Sequence, residues 1–439
     1  MRINITDKKN FIKMFNSTYK DNPVKKINGI TTDSRKVMKN DIFFPIKGEN
    51  FDGHNFINNA LSAGAICFSE QKSTRKNIIY TKSIINEINA ICKKWKKISK
   101  AKIIGITGSN GKTTTKDLLY HIFKNNYSTS KTIGNFNSSI GFPISFLSTK
   151  STDDFCILEY GASKPKEIKN LCNIISPDIS YITNVSKAHI ENFKSFDQLY
   201  ETKLDLYKYT KESGKCFINT DNITIDKLKL KSKSILFDIS ENTNIEFIND
   251  NNDSYLKINN KKIHVPNHLT HIIDNILATC IISKSCNIND KKINNSLKTF
   301  NLPSGRGNII DYSYYKIIDD SYNANPVSTI LAINRFCQLH SSGKKILVIG
   351  DMLELGKDAI KEHENIAYEL NKSTIDVILS YGTLSSNITK NIIAKKHSKH
   401  YTDKTKLKIE LNSLISKDDI IYLKGSRSMQ LEKLYLKDS

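Results

Sequence analysis

One short segment constrains the fold of this 439-residue chain more than any other. A β-branched run at 102–107 leads into a glycine-containing loop at 108–113, and residues 116–124 follow with helical spacing. An apolar strand that turns through glycines into a helix is typical of α/β units whose loop binds phosphate. The segment therefore predicts an α/β fold with this strand inside a mostly parallel sheet.

The chemistry of the loop favours a nucleotide, although the strict pattern G-x-x-x-x-G-K-[ST] fails because Ile106 stands at its first glycine position. Backbone N–H groups and the helix N-terminus attract phosphate oxygens, Lys112 supplies a point charge, and Thr113 can ligate magnesium. The same string could be a surface turn, but its position between strand and helix favours a nucleotide loop. We predict that ATP is bound by Gly108, Ser109, Asn110, Gly111, Lys112, Thr113 and Thr114.

Alternating apolar runs and helical stretches predict three domains. The predicted domains are a small mixed α/β domain at 1–85, a central mostly parallel P-loop ATPase domain at 86–300, and a Rossmann-like domain at 301–439. Buried strands are predicted at 154–159, 179–185, 215–219, 315–319, 345–350, 376–381 and 419–424. The polar region from about 225 to 265 predicts hairpins.

The net charge of +22 raises a second possibility, a basic ATPase that binds nucleic acid. Lysines scattered along the whole chain account for nearly all of this charge, which favours compositional drift over a binding patch. Arginine stands at only six positions, 2, 35, 75, 306, 335 and 427, where its planar fork can be required for phosphate or carboxylate. We therefore expect no nucleic-acid partner.

The remaining composition predicts a cytoplasmic protein. The eight cysteines contain no C-x-x-C pair, and a chain of this size needs no disulfides. Residues 1–10 lack the apolar core of a secretion signal, and no apolar run reaches about 18 residues, so we expect no membrane insertion. We expect a monomer.

Two polar residues follow strands of the predicted central sheet. Glu159 ends the strand at 154–159, and His189 follows the strand at 179–185. Ligands collect beyond the carboxyl ends of such strands, where a carboxylate and an imidazole could hold a metal. Taken singly, each could equally be a surface residue.

Motifs spread through almost the whole chain resemble the Mur ligase family. The matching strings are Thr32–Arg35, Phe44–Gly48, Phe51–His54, Thr132–Asn137, Glu201–Asp205, Gly305–Gly307, Asp319–Pro326, Gly350–Gly356 and Lys424–Met429. The resemblance implies ATP-dependent formation of an amide through an acyl phosphate. The Asp319–Pro326 string is similar to the branch that adds D-alanyl-D-alanine to UDP-N-acetylmuramoyl-tripeptide, which gives the pentapeptide precursor of peptidoglycan. A sister ligase that adds the third amino acid, or glutamate to folate, stays open, as does a non-catalytic interaction protein.

The resemblance also implies roles for individual residues. Lys112, His189, Lys203 and Arg306 are implied as catalytic. Mg²⁺ would be held by Thr113, Glu159, His189 and Lys203, with Lys203 carbamylated so that a cation becomes an anionic ligand. Asn275, Arg306 and Asp320 would contact ATP. The substrates would be bound by Ser34, Arg35, His54, Thr132, Asn135, Asn137, Tyr322, Asn325, Asp351, Glu354 and Arg427.

Overall fold

Three α/β units follow one another along the chain, and each is built on its own sheet. The computed structural model describes residues 1–186, 190–224, 230–239, 244–249, 254–393 and 396–436. No helix in these ranges is both long and apolar enough to cross a membrane.

The N-terminal sheet has the order β1-β2-β3-β4-β5, with β1 antiparallel to β2 and the other pairs parallel. Its elements are β1 (Arg2–Asn4), α1 (Lys8–Thr18), β2 (Gly29–Thr31), β3 (Ile42–Phe43), α2 (Ile57–Ser62), β4 (Ile66–Ser69) and β5 (Ile78–Tyr80). A buried Asp41 accepts both Nε (2.7 Å) and Nη2 (3.0 Å) of Arg2. One of the rare arginines thus ties the first strand to the turn before β3.

The central sheet contains only parallel pairs, in the order β11-β10-β9-β6-β8-β7. Its strands and the helices around them are α3 (Ile84–Ile98), β6 (Lys102–Thr107), α4 (Lys112–Lys124), β7 (Thr129–Lys131), α5 (Gly141–Phe146), β8 (Phe155–Glu159), α6 (Glu167–Ile174), β9 (Ile179–Ile182), α7 (Phe196–Lys208), β10 (Lys215–Asn219) and β11 (Lys233–Phe237). The strand that precedes the glycine loop, β6, lies between β8 and β9. The predicted parallel sheet is confirmed.

A three-stranded antiparallel sheet and two helices complete the central part of the chain. They are β12 (Ile245–Asn249), β13 (Ser254–Ile258), β14 (Lys261–His264), α8 (Ile273–Ser285) and α9 (Asp290–Lys298). The predicted hairpins are therefore confirmed for these strands. The prediction is wrong for β11, which pairs parallel with β10 at the edge of the main sheet. Its alternating, half-exposed pattern is that of an edge strand and resembles a hairpin in sequence.

The C-terminal sheet has the order β15-β16-β20-β17-β18-β19 and is parallel except for β15. Its elements are β15 (Asn308–Asp311), β16 (Lys316–Asp320), α10 (Pro326–Gln338), β17 (Lys345–Gly350), α11 (Ala359–Lys372), β18 (Val377–Tyr381), α12 (Ser386–Lys390), β19 (His397–Tyr401), α13 (Lys404–Leu414) and β20 (Ile420–Lys424). The four strands predicted here lie within about a residue of their positions. Short 3-10 turns cover Ser34–Lys36, Gly53–Phe56, Ile190–Asn192, Asn267–Ile272, Gly356–Asp358, Arg427–Met429 and Leu431–Leu434.

The helix α3 joins the N-terminal and central units. Its buried Trp95 contacts Phe11 of α1 at 5.4 Å between ring centroids, and its Nε1 donates to Thr149 Oγ1 (3.3 Å). One continuous apolar core runs through this junction. The predicted boundary after residue 85 falls in the first turn of α3, so the junction between the two units lies at the N-terminal end of that helix.

We predict that Trp95→Ala lowers the free energy of unfolding by about 3–5 kcal/mol, because it opens a cavity between two units of the chain. Urea unfolding followed by circular dichroism would measure the loss. Ile98→Ala, at a largely exposed position of the same helix, should change the stability by less than about 0.5 kcal/mol. Equal effects of the two substitutions would contradict the placement of Trp95.

Candidate active site

The glycine loop depends on two glycines in left-handed conformations. Gly108 has φ +142° and Gly111 has φ +81°, and α4 begins at Lys112. A Cβ at Gly108 would lie 1.9 Å from Thr183 Oγ1, so the backbone of the loop lies directly against the residue that follows β9. The loop thereby presents the N-terminus of a 13-residue helix beyond the carboxyl end of β6.

The residues that follow β9 hold the loop in place. The Ser109 N–H donates to Asn184 O (2.8 Å), and the Asn110 N–H donates to Asn184 Oδ1 (3.0 Å). Thr183 Oγ1 donates to Asn110 O, and Ser109 Oγ donates to Ser186 O (3.0 Å). The conformation of the loop is therefore fixed by a neighbouring strand end and does not depend on its own sequence alone.

The side chains of Lys112 and Asn275 both contact the loop or the first turn of α4. Lys112 Nζ donates to the carbonyl oxygens of Gly108 (2.6 Å) and Ser109 (3.0 Å). Burial lowers the pKa of Lys112 to about 8, while Glu159 raises it and Arg306 lowers it further. Asn275 Nδ2 donates to Thr115 Oγ1 (2.7 Å) in the first turn of α4. The predicted contact of Asn275 with ATP stays a prediction, and it would involve the oxygen of the side-chain amide.

Glu159, at the end of β8, is fully buried and lies beside the loop. Asn137 Nδ2 donates to its Oε2 (3.1 Å), and Lys116 Nζ forms an ion pair with its Oε1 (3.2 Å). Among the described residues, Oε1 accepts no hydrogen bond. Thr132 is also fully buried, and its Oγ1 accepts the Glu159 N–H (2.9 Å). Thr132 therefore holds Glu159 in place, and its predicted contact with substrate stays a prediction.

Lys203 lies in α7 and is buried, with 1% of its surface exposed. Burial, together with the charge of Lys112, lowers the pKa of Lys203 well below its usual value. No hydrogen bond or ion pair to its amine occurs within the described ranges. The surroundings of this amine therefore disfavour its charged form.

The predicted metal ligands fit magnesium in part. Glu159 offers a carboxylate oxygen without a hydrogen bond, and the partly buried Thr113 offers a hydroxyl at the start of α4. His189 lies outside the described residues. No cluster of three or more His, Cys, Asp or Glu side chains suited to a metal occurs in the described part of the chain. A magnesium ion here would therefore depend on oxygen ligands from nucleotide phosphates as well.

The C-terminal unit contributes to the same site. Asn325, the N-cap of α10, donates through Nδ2 to Asn110 Oδ1 (2.6 Å) in the glycine loop. The Arg306 guanidinium lies over the Tyr322 ring, 3.9 Å from its centroid, and its Nε has no hydrogen-bond partner among the described residues. Arg306, Tyr322 and Asn325 thus all lie near the nucleotide loop, although they are predicted for different ligands.

Three acidic residues and one arginine of the C-terminal unit differ in their freedom to bind a ligand. Asp320 forms an ion pair with Lys424 (2.8 Å), and the exposed Arg427 forms one with Glu432 (2.7 Å). Asp351 is buried, and its oxygens accept the N–H groups of Thr383 (2.9 Å) and Ser385 (2.7 Å). The carboxylate therefore fixes the turn after β18, and its predicted contact with an ammonium stays a prediction. Glu354 is exposed and has φ +64°.

Of the remaining predicted substrate residues, some form contacts within the fold and others are exposed. His54 Nδ1 contacts Asp52 Oδ1 (2.8 Å), and its Nε2 accepts the Glu70 N–H (3.2 Å). Both ring nitrogens thus have partners within the fold, and the predicted contact of His54 with a diphosphate or sugar stays a prediction. Arg35 is mostly exposed and pairs with Asp33 (2.8 Å), and Ser34 begins the same turn. Asn135 is exposed in the loop after β7.

Comparisons with known proteins cover nearly the whole chain. Family models match residues 26–106 (Mur ligase family, catalytic domain), 106–283 (Mur ligase middle domain) and 305–427 (Mur ligase, glutamate ligase domain). The UDP-N-acetylmuramoyl-tripeptide--D-alanyl-D-alanine ligase of Buchnera aphidicola subsp. Baizongia pistaciae is 36% identical over 92% of this chain and 91% of the relative. The chain belongs to the Mur ligase family.

Other Mur ligases extend this result. The ligase of the same name from Bacillus subtilis is 30% identical over 93% of this chain and 92% of its own. The crystal structure of a MurF ligase from Thermotoga maritima in complex with ADP aligns with a TM-score of 0.81 and 26% identity, over 92% of this chain and 95% of that chain. A MurF structure from Acinetobacter baumannii, at 23% identity and a TM-score of 0.85, supports the three-domain α/β fold.

Sequence reasoning missed two parts of this Mur ligase site. Thr183 and Asn184 lie in the last part of the strand predicted at 179–185, which ends at Ile182 in the structure, and two polar residues at the end of an apolar run were the signal that could have identified them. Lys116 stands four residues after Lys112 in α4, a spacing that places both lysines on one helix face. In such a lysine-rich chain, that spacing does not distinguish Lys116 from a surface lysine.

We predict that Gly108→Ala weakens ADP binding at least about tenfold, equivalent to ~1.4 kcal/mol. The added Cβ would collide with Thr183 Oγ1 and would occupy a backbone conformation that side chains rarely adopt. Isothermal titration calorimetry would measure the affinity. The control is Gly134→Ala, which also places a Cβ at a positive φ but brings it within 4 Å of no atom. This variant has the backbone strain without a collision, and it should bind ADP normally. Unchanged affinity in Gly108→Ala would contradict the geometry of the loop.

Proposed function

We propose that this chain is an ATP-dependent ligase that joins D-alanyl-D-alanine to UDP-N-acetylmuramoyl-tripeptide and releases ADP and phosphate. Relatives with that name match the chain over nine-tenths of its length, at up to 36% identity among those compared. The observation that carries the proposal is the arrangement of Lys112, Glu159, Lys203 and Arg306 around one phosphate loop. This arrangement suits the transfer of a phosphoryl group to a carboxylate.

The first step would activate the tripeptide. An oxygen of its terminal carboxylate attacks the γ-phosphorus of ATP, the bond from that phosphorus to the β,γ-bridging oxygen breaks, and ADP leaves. Lys112 at the loop and Arg306 from the C-terminal unit would balance the negative charge that develops on the phosphoryl oxygens. The product is an acyl phosphate.

The second step would form the amide. The neutral amine of D-alanyl-D-alanine attacks the carbonyl carbon of the acyl phosphate, a tetrahedral intermediate forms, and its collapse breaks the bond to the phosphate oxygen. Inorganic phosphate leaves, and the amine proton passes to a base. Water must be excluded during these steps, because it would hydrolyse the acyl phosphate. The contact of Asn325 with Asn110 places the C-terminal unit against the loop, where it would help to exclude water.

Magnesium would be held by Glu159 and Thr113, with His189 and Lys203 as the further predicted ligands. Bound there, it would withdraw charge from the phosphoryl oxygens. We propose that Lys203 is carbamylated, because carbon dioxide reacts with neutral amines and burial lowers the pKa of this amine, which favours its neutral form. The carbamate would turn a buried cation beside Lys112 into an anion that Lys112 stabilises.

Polar residues that are exposed or only partly buried are our candidates for substrate binding. Ser34 and Arg35 would contact the uridine diphosphate part, and Asn135 and Asn137 the peptide. Glu354 would attract the ammonium of the dipeptide and Arg427 its carboxylate, once Arg427 leaves Glu432. Asp320 would contact ribose beside Lys424, and Tyr322 would line the substrate side. We also propose a cytoplasmic enzyme, and the monomeric state stays a prediction.

The test of the proposed function is phosphate release from ATP and Mg²⁺ with UDP-N-acetylmuramoyl-tripeptide, in the presence and absence of D-alanyl-D-alanine. We expect release to require both substrates and mass spectrometry to detect the pentapeptide product. A single amino acid in place of the dipeptide is the control. Product formed with an amino acid and not with the dipeptide would indicate the sister ligase, and turnover stimulated by RNA or DNA would indicate a nucleic-acid ATPase.

We predict that Lys203→Ala reduces turnover by about 100-fold or more, the upper range for groups that orient a metal site. Short carboxylic acids such as acetate should restore part of the activity, because they can replace the lost carbamate. The matched control is Lys208→Ala in the same helix, where an exposed lysine pairs with Glu201. Full activity in Lys203→Ala, or a loss that no carboxylic acid relieves, would contradict carbamylation.

A further inference from the structure

The proposed steps do not use Lys116, a buried cation beside Glu159. Lys116 lies one turn after Lys112 in α4 and is only 2% exposed. Its Nζ lies 3.2 Å from Glu159 Oε1 and donates to the carbonyl oxygen of Gly134 at 3.2 Å. Gly134 belongs to the segment 132–137, which we call the substrate loop. Lys116 therefore joins the predicted metal ligand to the backbone of the loop predicted to hold the peptide.

Lys116 is not required to neutralise its neighbour in sequence. Asp117 lies 3.5 Å from Lys116 Nζ, but Lys131 Nζ approaches the same carboxylate more closely, at 2.6 Å. Lys131 is one-third exposed and contacts neither Glu159 nor Gly134. Burying an ammonium is costly, and an apolar residue of similar volume often stabilises a fold equally well. The position of Lys116 therefore suggests a role beyond stability.

In the part of the chain that the structure describes, the contacts that hold Glu159 beside the glycine loop come from α4 and the substrate loop. Asn137 Nδ2 holds Oε2, Lys116 holds Oε1, and Thr132 Oγ1 accepts the backbone N–H of Glu159. Gly134 has φ +53° and offers no side chain, so its carbonyl is the group that Lys116 reaches. Without Lys116, Asn137 would be the remaining side-chain hydrogen bond to the carboxylate within the described residues.

We propose that Lys116 is a positioning residue that sets the substrate loop and Glu159 in one fixed arrangement. The metal ligand and the peptide-binding loop would thus be aligned before the carboxylate of the tripeptide arrives. This inference rests on the proposed ligase function. Lys116 would act through Glu159 and Gly134, and its loss should affect the metal and the peptide more than the nucleotide.

The experiment compares Lys116→Met, Lys116→Arg and the control Lys131→Met, which removes a lysine from Asp117 and leaves Glu159 untouched. In Lys116→Met we expect kcat/KM for the UDP-linked tripeptide to fall about 10–100-fold, while the affinity for ADP stays within about twofold. Lys116→Arg should recover part of the loss, since it keeps the charge. Lys131→Met should behave like the wild type.

A second readout separates positioning from structural damage. Mn²⁺ binding to the protein–ADP complex, followed by electron paramagnetic resonance, should become about fivefold tighter in Lys116→Met, because Glu159 loses a competing cation. That change should vanish in the Glu159→Gln background. Weaker or unchanged Mn²⁺ binding in Lys116→Met, or a kcat/KM within about twofold of the wild type, would overturn the proposal.

The two proposals fail in different ways. If wild-type protein makes no pentapeptide, the proposed function fails, whereas the Mn²⁺ measurement still tests the link between Lys116 and Glu159. If Lys116→Met does not fold, Lys116→Arg takes its place: its fork cannot repeat both contacts of a single Nζ, so we expect a reduced kcat/KM with normal ADP affinity. Wild-type kinetics in Lys116→Arg would then overturn the positioning role.

Discussion

The close approach of Gly108 to Thr183 is the constraint on which the rest of the site depends. Only a residue without a Cβ lets the loop after β6 lie against the end of β9, where Asn184 accepts the backbone N–H groups of Ser109 and Asn110. That contact sets the direction of α4, and α4 carries Lys112 and Lys116 toward Glu159. A single steric condition thereby determines where the phosphate, the metal and the substrate loop can meet.

The charges around this loop are unbalanced in the protein alone. Lys116 pairs with the buried carboxylate of Glu159, and the charge of Lys112 interacts with those of Glu159, Arg306 and Lys203. The depressed pKa values of Lys112 and Lys203 express the cost of burying these cations together. A polyanion such as ATP relieves that cost, so the electrostatic strain of the free protein becomes binding energy for the nucleotide. The scattered lysines that give the chain its +22 charge are a separate matter, since they lie mostly at the surface.

Periodicity and loop chemistry predicted the parts of the fold whose signals are local. The buried strands β6, β8, β17 and β18 are continuous apolar runs, and each was found where it was predicted. The edge strands β11, β15 and β19 were misjudged or missed, because they are polar, short and stabilised by pairing with a neighbour.

The predicted site residues divide by the same criterion. A sequence shows that Thr132, His54 and Asp351 are polar, but it does not show that their polar atoms are already used. Thr132 supports Glu159, His54 spans Asp52 and Glu70, and Asp351 holds the turn after β18. Most of these hydrogen bonds join residues that are far apart in the sequence, so the sequence alone does not reveal that the three side chains support the fold. The nucleotide loop is not ambiguous in this way, because its backbone would bind the phosphates. The glycines in the sequence indicate the conformation of that backbone. Its contact with Asn325 across the domain junction required the tertiary structure, since 215 residues separate Asn325 from Asn110.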